Sequence, residues 1–280
     1  MKHTLILLSM LSATLFASCE KDNHTFAPNE QVIQTFEAKF PQASRVEWER
    51  ESAYLVADFT NNSSLCKAWF DQAGQWFMTE IELKSIDELP AAVQSTFKNS
   101  KYTTWVVDEI DELDRFNAES LYVIEVQNGK TEMDLYYTAD GILIKSIVDD
   151  SDNNHNQLLP NDVILPANIV EFINTEYPNS RIVESELENG LLEVDIIHNN
   201  KGKDLTFTTA GTWISTHYDI TQAEVSTAAI NALAASEYGT YTIDDIELYE
   251  TEQGTYYLFE LEKGNSEVNL KIDLSGNILK

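Results

Sequence analysis

The sequence predicts an α+β fold built from four tandem copies of one unit, a helix followed by about four antiparallel strands, with the helices packed on one face of the sheet. Three observations predict it. A glycine-centred turn recurs four times at nearly even spacing. Alternating apolar residues precede each turn at the same offsets, and a stripe of apolar residues at helical spacing opens each copy.

The four turns are Phe70 to Trp76 around Gly74, Tyr137 to Leu143 around Gly141, Phe207 to Trp213 around Gly211, and Ile272 to Ile278 around Gly276. Each has an apolar residue four before the glycine and another two after it, and the glycines lie 67, 70 and 65 residues apart. A hairpin loop that needs a left-handed residue explains the glycine, because a Cβ resists positive φ.

Eight, six and four residues before the glycines stand Cys66, Ala68, Phe70; Met133, Leu135, Tyr137; Lys203, Leu205, Phe207; and Val268, Leu270, Ile272. Eleven of these twelve are apolar, with Lys203 the exception, and their period of two is that of a strand with one face on a core. This places Cys66 among buried, inert positions. A preceding strand repeats as Leu55, Ala57, Phe59; Tyr122, Ile124, Val126; Leu192, Val194, Ile196; and Tyr257, Phe259, Leu261.

Earlier in each copy, Val32, Phe36 and Phe40, then Val93 and Phe97, then Ile169, Ile173 and Tyr177, then Ile230 and Leu233 mark one helix face. Pro90 and Pro166 fall just inside two helix starts, where a missing N–H costs nothing.

A longer period overlies the short one. Pro41 and Pro178, Gly74 and Gly211, and Trp76 and Trp213 are each 137 residues apart, so a pair of units reads as duplicated. The resulting division is a leader over 1–18, a tether over 19–28, a first domain over 29–148 (units 29–84 and 85–148), a polar linker over 149–160, and a second domain over 161–280 (units 161–220 and 221–280).

The leader has a positive start at Lys2, an apolar run from Leu5 to Phe16 too short to span a bilayer, and small residues before a cysteine. Phe16-Ala-Ser-Cys19 resembles a bacterial lipobox, apart from Phe16 where leucine is usual. The resemblance implies that Cys19 is lipidated and becomes the first mature residue. Several acyl chains on one residue anchor stably where a single chain does not. The expected location is a bacterial cell envelope, with the chain anchored at the outer membrane on its periplasmic or cell-surface side.

The units themselves resemble the PepSY-like domains of Bacteroidetes lipoproteins. The markers are Leu89-Pro90 and Leu165-Pro166 at unit starts, Phe40-Pro41 and Tyr177-Pro178 after the first helix, and the hairpin with Trp76 or Trp213. Units two and four lack the helix-end proline and the hairpin tryptophan. The resemblance implies a helix-backed antiparallel sheet like that of the beta-lactamase inhibitor protein, an envelope location and a binding role. It does not imply inhibition of beta-lactamases.

Hydrophobic residues make up 43% of the chain, enough for packed cores. A formal charge of −29 repels phosphate backbones and anionic lipid surfaces and excludes nucleic acid as a partner. With Cys19 spent on lipid, Cys66 has no disulfide partner.

No catalytic motif is present, no cofactor is implied and no metal ligands are assigned. His24, His155, His198 and His217 stand at no ligand spacing and read as scattered, solvated residues. Asp58, Glu125, Asp195 and Glu260 recur sixteen residues before each glycine, but their parity turns them away from the core toward solvent or a cross-strand partner. Asp150, Asp152 and Asn154 imitate the start of an EF-hand loop that then fails at His155 and Asn161.

The face opposite the core carries Tyr54, Val56, Trp69, Leu121, Val123, Tyr136, Leu191, Tyr256 and Leu258. Such residues form either an uncovered binding surface or a contact with the neighbouring unit. Two function classes follow. One is a non-catalytic module that binds an envelope or extracellular protein, as an inhibitor would, through that face. The other is a small-ligand or calcium-binding envelope protein.

Overall fold

The computed structural model describes residues 26–149, 165–264 and 266–279. The leader, Cys19 and the stretch from Asp150 to Asn161 lie outside the described residues.

Each unit opens with a helix: α1 (Glu30–Lys39), α2 (Ala91–Lys98), α3 (Ala167–Glu176) and α4 (Thr227–Ala235). Asn29 caps α1 by accepting the Val32 N–H at 3.1 Å, and Ser226 caps α4 by accepting the Ala229 N–H at 3.1 Å. Pro90 and Pro166 occupy the cap positions of α2 and α3, one residue earlier than the sequence suggests. The change is slight, since a proline there still forfeits no helical hydrogen bond. Each helix buries a single stripe, such as Val32 with Phe36 or Ile169 with Ile173. Fully burying each such side chain is worth about 1.5–3 kcal/mol.

The strands of units one and two are β1 (Ser44–Glu51), β2 (Tyr54–Asn61), β3 (Ser64–Phe70), β4 (Trp76–Glu82), β5 (Val106–Arg115), β6 (Leu121–Asn128), β7 (Thr131–Thr138) and β8 (Leu143–Asp149). They form one eight-stranded antiparallel sheet in chain order. Pairing of β4 with β5, Glu80 opposite Leu113, makes the sheet continuous across the unit boundary. Units three and four supply β9 (Arg181–Glu188), β10 (Leu191–His198), β11 (Lys201–Thr208), β12 (Trp213–Asp219), β13 (Thr242–Thr251), β14 (Gly254–Lys263) and β15 (Ser266–Asp273). These form a second sheet of seven strands, likewise in chain order.

The helix-side cores follow the repeat. Leu55, Ala57, Phe59, Cys66, Ala68 and Phe70 pack under Val32 and Phe36, and the other units build equivalent clusters. Cys66 is buried and unpaired, and burial pushes its thiol up to about 11. Such a thiol stays protonated and inert at neutral pH.

The turn glycines do more than reverse the chain. Gly141 has φ +80°, and a Cβ there would stand 2.6 Å from the Ala92 backbone in the first turn of α2. Elsewhere the helix start bonds its own hairpin: Asn29 Nδ2 to Gln72 O at 2.7 Å, Asn168 Nδ2 to Ala210 O at 3.1 Å, and Ser226 Oγ to Leu274 O at 2.8 Å. Helix and hairpin are thus fixed to each other within a unit.

The two sheets meet where β8 passes over β10 and β11. At Gly202 a Cβ would lie 2.9 Å from Leu143 O and 3.0 Å from Ile144 Cα, so only glycine admits this approach. Unit one has the exposed Leu65 at the equivalent position. Ion pairs ring the contact: Arg181 Nη2 to Asp140 Oδ1 at 2.8 Å, Arg181 Nε to Glu119 Oε1 at 3.3 Å, and Lys101 Nζ to Asp245 Oδ1 at 3.3 Å.

Candidate functional site

The helix-free face of the first sheet is closed, so of the two readings left open by the sequence the contact with a neighbouring unit holds there, and the uncovered binding surface does not. Val56, Trp69 and Tyr136 have no exposed area, and Leu121 and Val123 have 1%. They share one cluster with Met78, Leu113 and Ile144, and with Val183 on β9 and Ile197 on β10. Tyr54 packs at its margin, with its ring 5.5 Å from that of Phe77. The reason is simple: a contiguous apolar face is driven out of water, and the second sheet supplies part of the cover. The polar ends are also satisfied. Trp69 Nε1 donates to Glu51 Oε2 at 3.4 Å and Tyr136 Oη to Asp134 Oδ2 at 3.0 Å.

The second sheet presents a different helix-free face. Strand register lines up Glu184, Asp195, Asp204, His217, Tyr249 and Tyr256 in one row across β9 to β14. The row changes from acidic to aromatic at His217. The His217 and Tyr249 rings stack at 4.7 Å and the Tyr249 and Tyr256 rings at 5.2 Å, each pair within 3° of parallel. Lys271 Nζ stands 5.2 Å from the Tyr256 ring centre. All three rings are half-buried, whereas Leu258 in the next row is buried.

His217 is not a solvated histidine, contrary to expectation. Its Nε2 stands 3.3 Å from Asp204 Oδ2 and 3.8 Å from Glu247 Oε1. Burial lowers its pKa against the opposing pull of Asp195. Burial, reinforced by Asp195, holds the Asp204 carboxyl well above the usual carboxylate range. Two of the four recurring acidic positions take a cross-strand or cross-sheet partner. Asp58 lies 4.0 Å from Lys67 Nζ, and Asp195 lies 3.7 Å from Lys145 Nζ on the first sheet.

Between this face and the first sheet runs a cleft of about 1440 Å³. Tyr102, Trp105 and Lys145 line one side, and Asp204, His217 and Glu247 line the other. Among the described residues nine carboxylates and three lysines border it, so its field attracts cations. Burial, then Asp219, pushes Glu247 up to about 7, and burial, then Asp245, pushes Asp219 up to about 6. These carboxyls share too few cations to ionise together freely. Among the described residues no group of three or more His, Cys, Asp and Glu is placed to hold a metal ion. The EF-hand-like stretch lies outside them.

Of the residues singled out in the sequence, the structure gathers Tyr54, Val56, Trp69, Leu121, Val123 and Tyr136 into the closed cluster and leaves Tyr256 on the half-open face. Asp204, Tyr249 and Glu247 were missed, and His217 was noted only as a scattered, solvated residue. Their signal was parity alone: Tyr249 and Tyr256 flank the hairpin at Thr251–Gly254 and must face each other across it.

A family model described as beta-lactamase-inhibitor-like, PepSY-like matches residues 52–145 and 193–280. Among solved structures, a BLIP-like protein from Bacteroides fragilis is 31% identical, covering 48% of this chain and 94% of its own, with a TM-score of 0.45. A DUF2874 family protein from Bacteroides ovatus is 33% identical over 44% of this chain and 89% of its own, with a TM-score of 0.43. One from Bacteroides uniformis is 28% identical over 47% and 96%, with a TM-score of 0.45. No curated protein matches the chain.

Proposed function

The chain belongs to the beta-lactamase-inhibitor-like, PepSY-like family, and from that premise we propose that it is a non-catalytic binding protein of the cell envelope. It is exported, anchored through Cys19, and holds an envelope or extracellular protein on the helix-free face of its second sheet. The observation that carries this reading is the half-open row His217, Tyr249 and Tyr256 beside an acidic cleft. Stacked rings offer contact area at small entropic cost, and the carboxylates favour a partner surface rich in lysine and arginine. No helix of the described residues is long and apolar enough to cross a membrane; the lipid anchor rests on the lipobox-like stretch before Cys19.

Site-specific photo-crosslinking in intact envelopes tests the surface. A photoreactive residue at Tyr256 should give a discrete adduct that Glu247→Lys abolishes. The same group at Glu37, exposed on α1, should give none. Equal labelling from both positions, or none from Tyr256, refutes the assignment.

A further inference from the structure

One core position breaks the repeat. Where the other units place Cys66, Met133 and Val268, the third unit places Lys203. The structure keeps it inside, 6% exposed, on the wall of a cavity of about 540 Å³ on the helix side of the second sheet. This cavity adjoins the acidic cleft, with which it shares Lys201 and Tyr218, but Lys203 lines this cavity and not the cleft. Tyr177, Tyr218, Leu248 and Tyr257 make its apolar walls.

The Lys203 ammonium has no carboxylate within ion-pair distance among the described residues. Its Nζ lies 2.9 Å from the Tyr218 ring centre and 5.7 Å from that of Tyr177. Ring faces offset part of the charge but supply no lone pair. Nearby carboxylates are committed elsewhere. Glu250 accepts from Tyr177 Oη at 3.1 Å, and Glu224 is held by Lys201 and by the Thr221 N–H.

We propose that this cavity binds a small organic monocarboxylate, with Lys203 Nζ as counter-ion and the tyrosine rings around its apolar body. A buried charge without a partner is costly, and a carboxylate in the cavity removes that cost. Burial accordingly depresses the lysine to about 8, against the opposing field of Glu250. A monoanion fits better than phosphate: Lys201 is already paired with Glu224, and Lys203 alone beside Glu176 and Glu250 cannot neutralise a dianion. The volume falls within the ordinary range for small-molecule sites. The chain's overall negative charge does not forbid this, since salt screens distant charges within about 8–10 Å.

The test is titration of the purified full chain with benzoate, followed by calorimetry and by NMR of the Lys203 ammonium. Benzoate should bind saturably, raise the proton affinity of the lysine about tenfold or more, and lose about tenfold or more in affinity in Lys203→Met. Met133 shows that methionine suits the position. Benzamide, which is uncharged, should bind far more weakly than benzoate. N-acetyl-Ala-Phe with a free carboxylate separates the two sources of such a group: tighter binding than benzoate identifies a polypeptide C-terminus, and weaker binding a free acid. No saturation by either acid at millimolar concentration, equal affinity in Lys203→Met, or an unchanged Lys203 titration overturns the proposal. The last readout needs no variant, so a folding defect in Lys203→Met cannot obscure the result.

Discussion

Arg115 at the end of β5 and Glu184 on β9 join the two sheets through a buried ion pair. Nη1 stands 3.3 Å from Oε2, and the side chains are 1% and 7% exposed. The guanidinium also donates through Nη2 to Val183 O at 3.3 Å and through Nε to Glu119 O at 3.1 Å. It therefore binds backbone from both sides of the junction. Removing one member of such a pair strands the other, so Arg115→Ala should destabilise the chain by about 3–5 kcal/mol. Arg115→Met with Glu184→Leu should recover most of that loss, because it deletes both charges. Denaturant unfolding of the three variants decides it, and equal losses in the single and double variants would contradict the pairing.

The same junction predicts an unusual dependence on pH. Burial raises Glu184 to about 7 against Lys145 and Arg115, and Glu247 and Asp219 are raised to about 7 and about 6. A carboxyl that holds its proton more tightly when folded stabilises the fold below its unfolded pKa, about 4. That contribution is lost as the pH climbs through 6 and 7. His217 has the opposite sign, since its lowered pKa removes stability as the pH falls below about 6.5. Three carboxyls outweigh one imidazole. Melting temperature should therefore rise on going from pH 8 to pH 5, and Glu184→Gln should flatten the slope. A melting temperature that falls over that interval would contradict the assignment.

Trp69 illustrates what could and could not be read from the sequence. Its parity, opposite to Ala68 and Phe70, placed it off the helix-side core, and the structure agrees. Its cover was not legible, because Val183 and Ile197 lie more than a hundred residues away and nothing local announces them. Gly202 was equally silent: a glycine in a strand is uninformative until the backbone of β8 is seen against it. The Lys203 exception was visible as a break in a pattern, but its surroundings required three strands and a helix end. With Trp69 now buried at 0%, Trp69→Ala should destabilise by about 3–5 kcal/mol, as large core deletions do. Thermal melting reports it directly, and an unchanged midpoint would reopen that face as a docking surface.

Membrane attachment rests on a single residue in our proposal. Cys19→Ala should move the protein from the membrane fraction to the soluble fraction while leaving its melting curve unaltered, since the folded units begin near α1. Retention of the variant on membranes would remove the lipid anchor from the proposal and require another means of attachment.

Gly141 and Gly129 separate two reasons for a glycine. Both have positive φ, +80° and +68°. A Cβ at Gly129 meets nothing within 4 Å, whereas one at Gly141 would stand 2.6 Å from backbone atoms of Ala92. Gly129→Ala should therefore cost only the left-handed penalty, roughly 1–2 kcal/mol. Gly141→Ala must in addition push α2 off its hairpin, disturbing the cluster of Val93, Phe97, Leu135 and Tyr137 beneath it. Its cost should exceed that of Gly129→Ala by about 1–3 kcal/mol, the scale of overpacking. Paired denaturation curves measure the difference. Equal losses would mean that the recurring glycine is needed only to turn the chain, and that the helix seat is free to adjust.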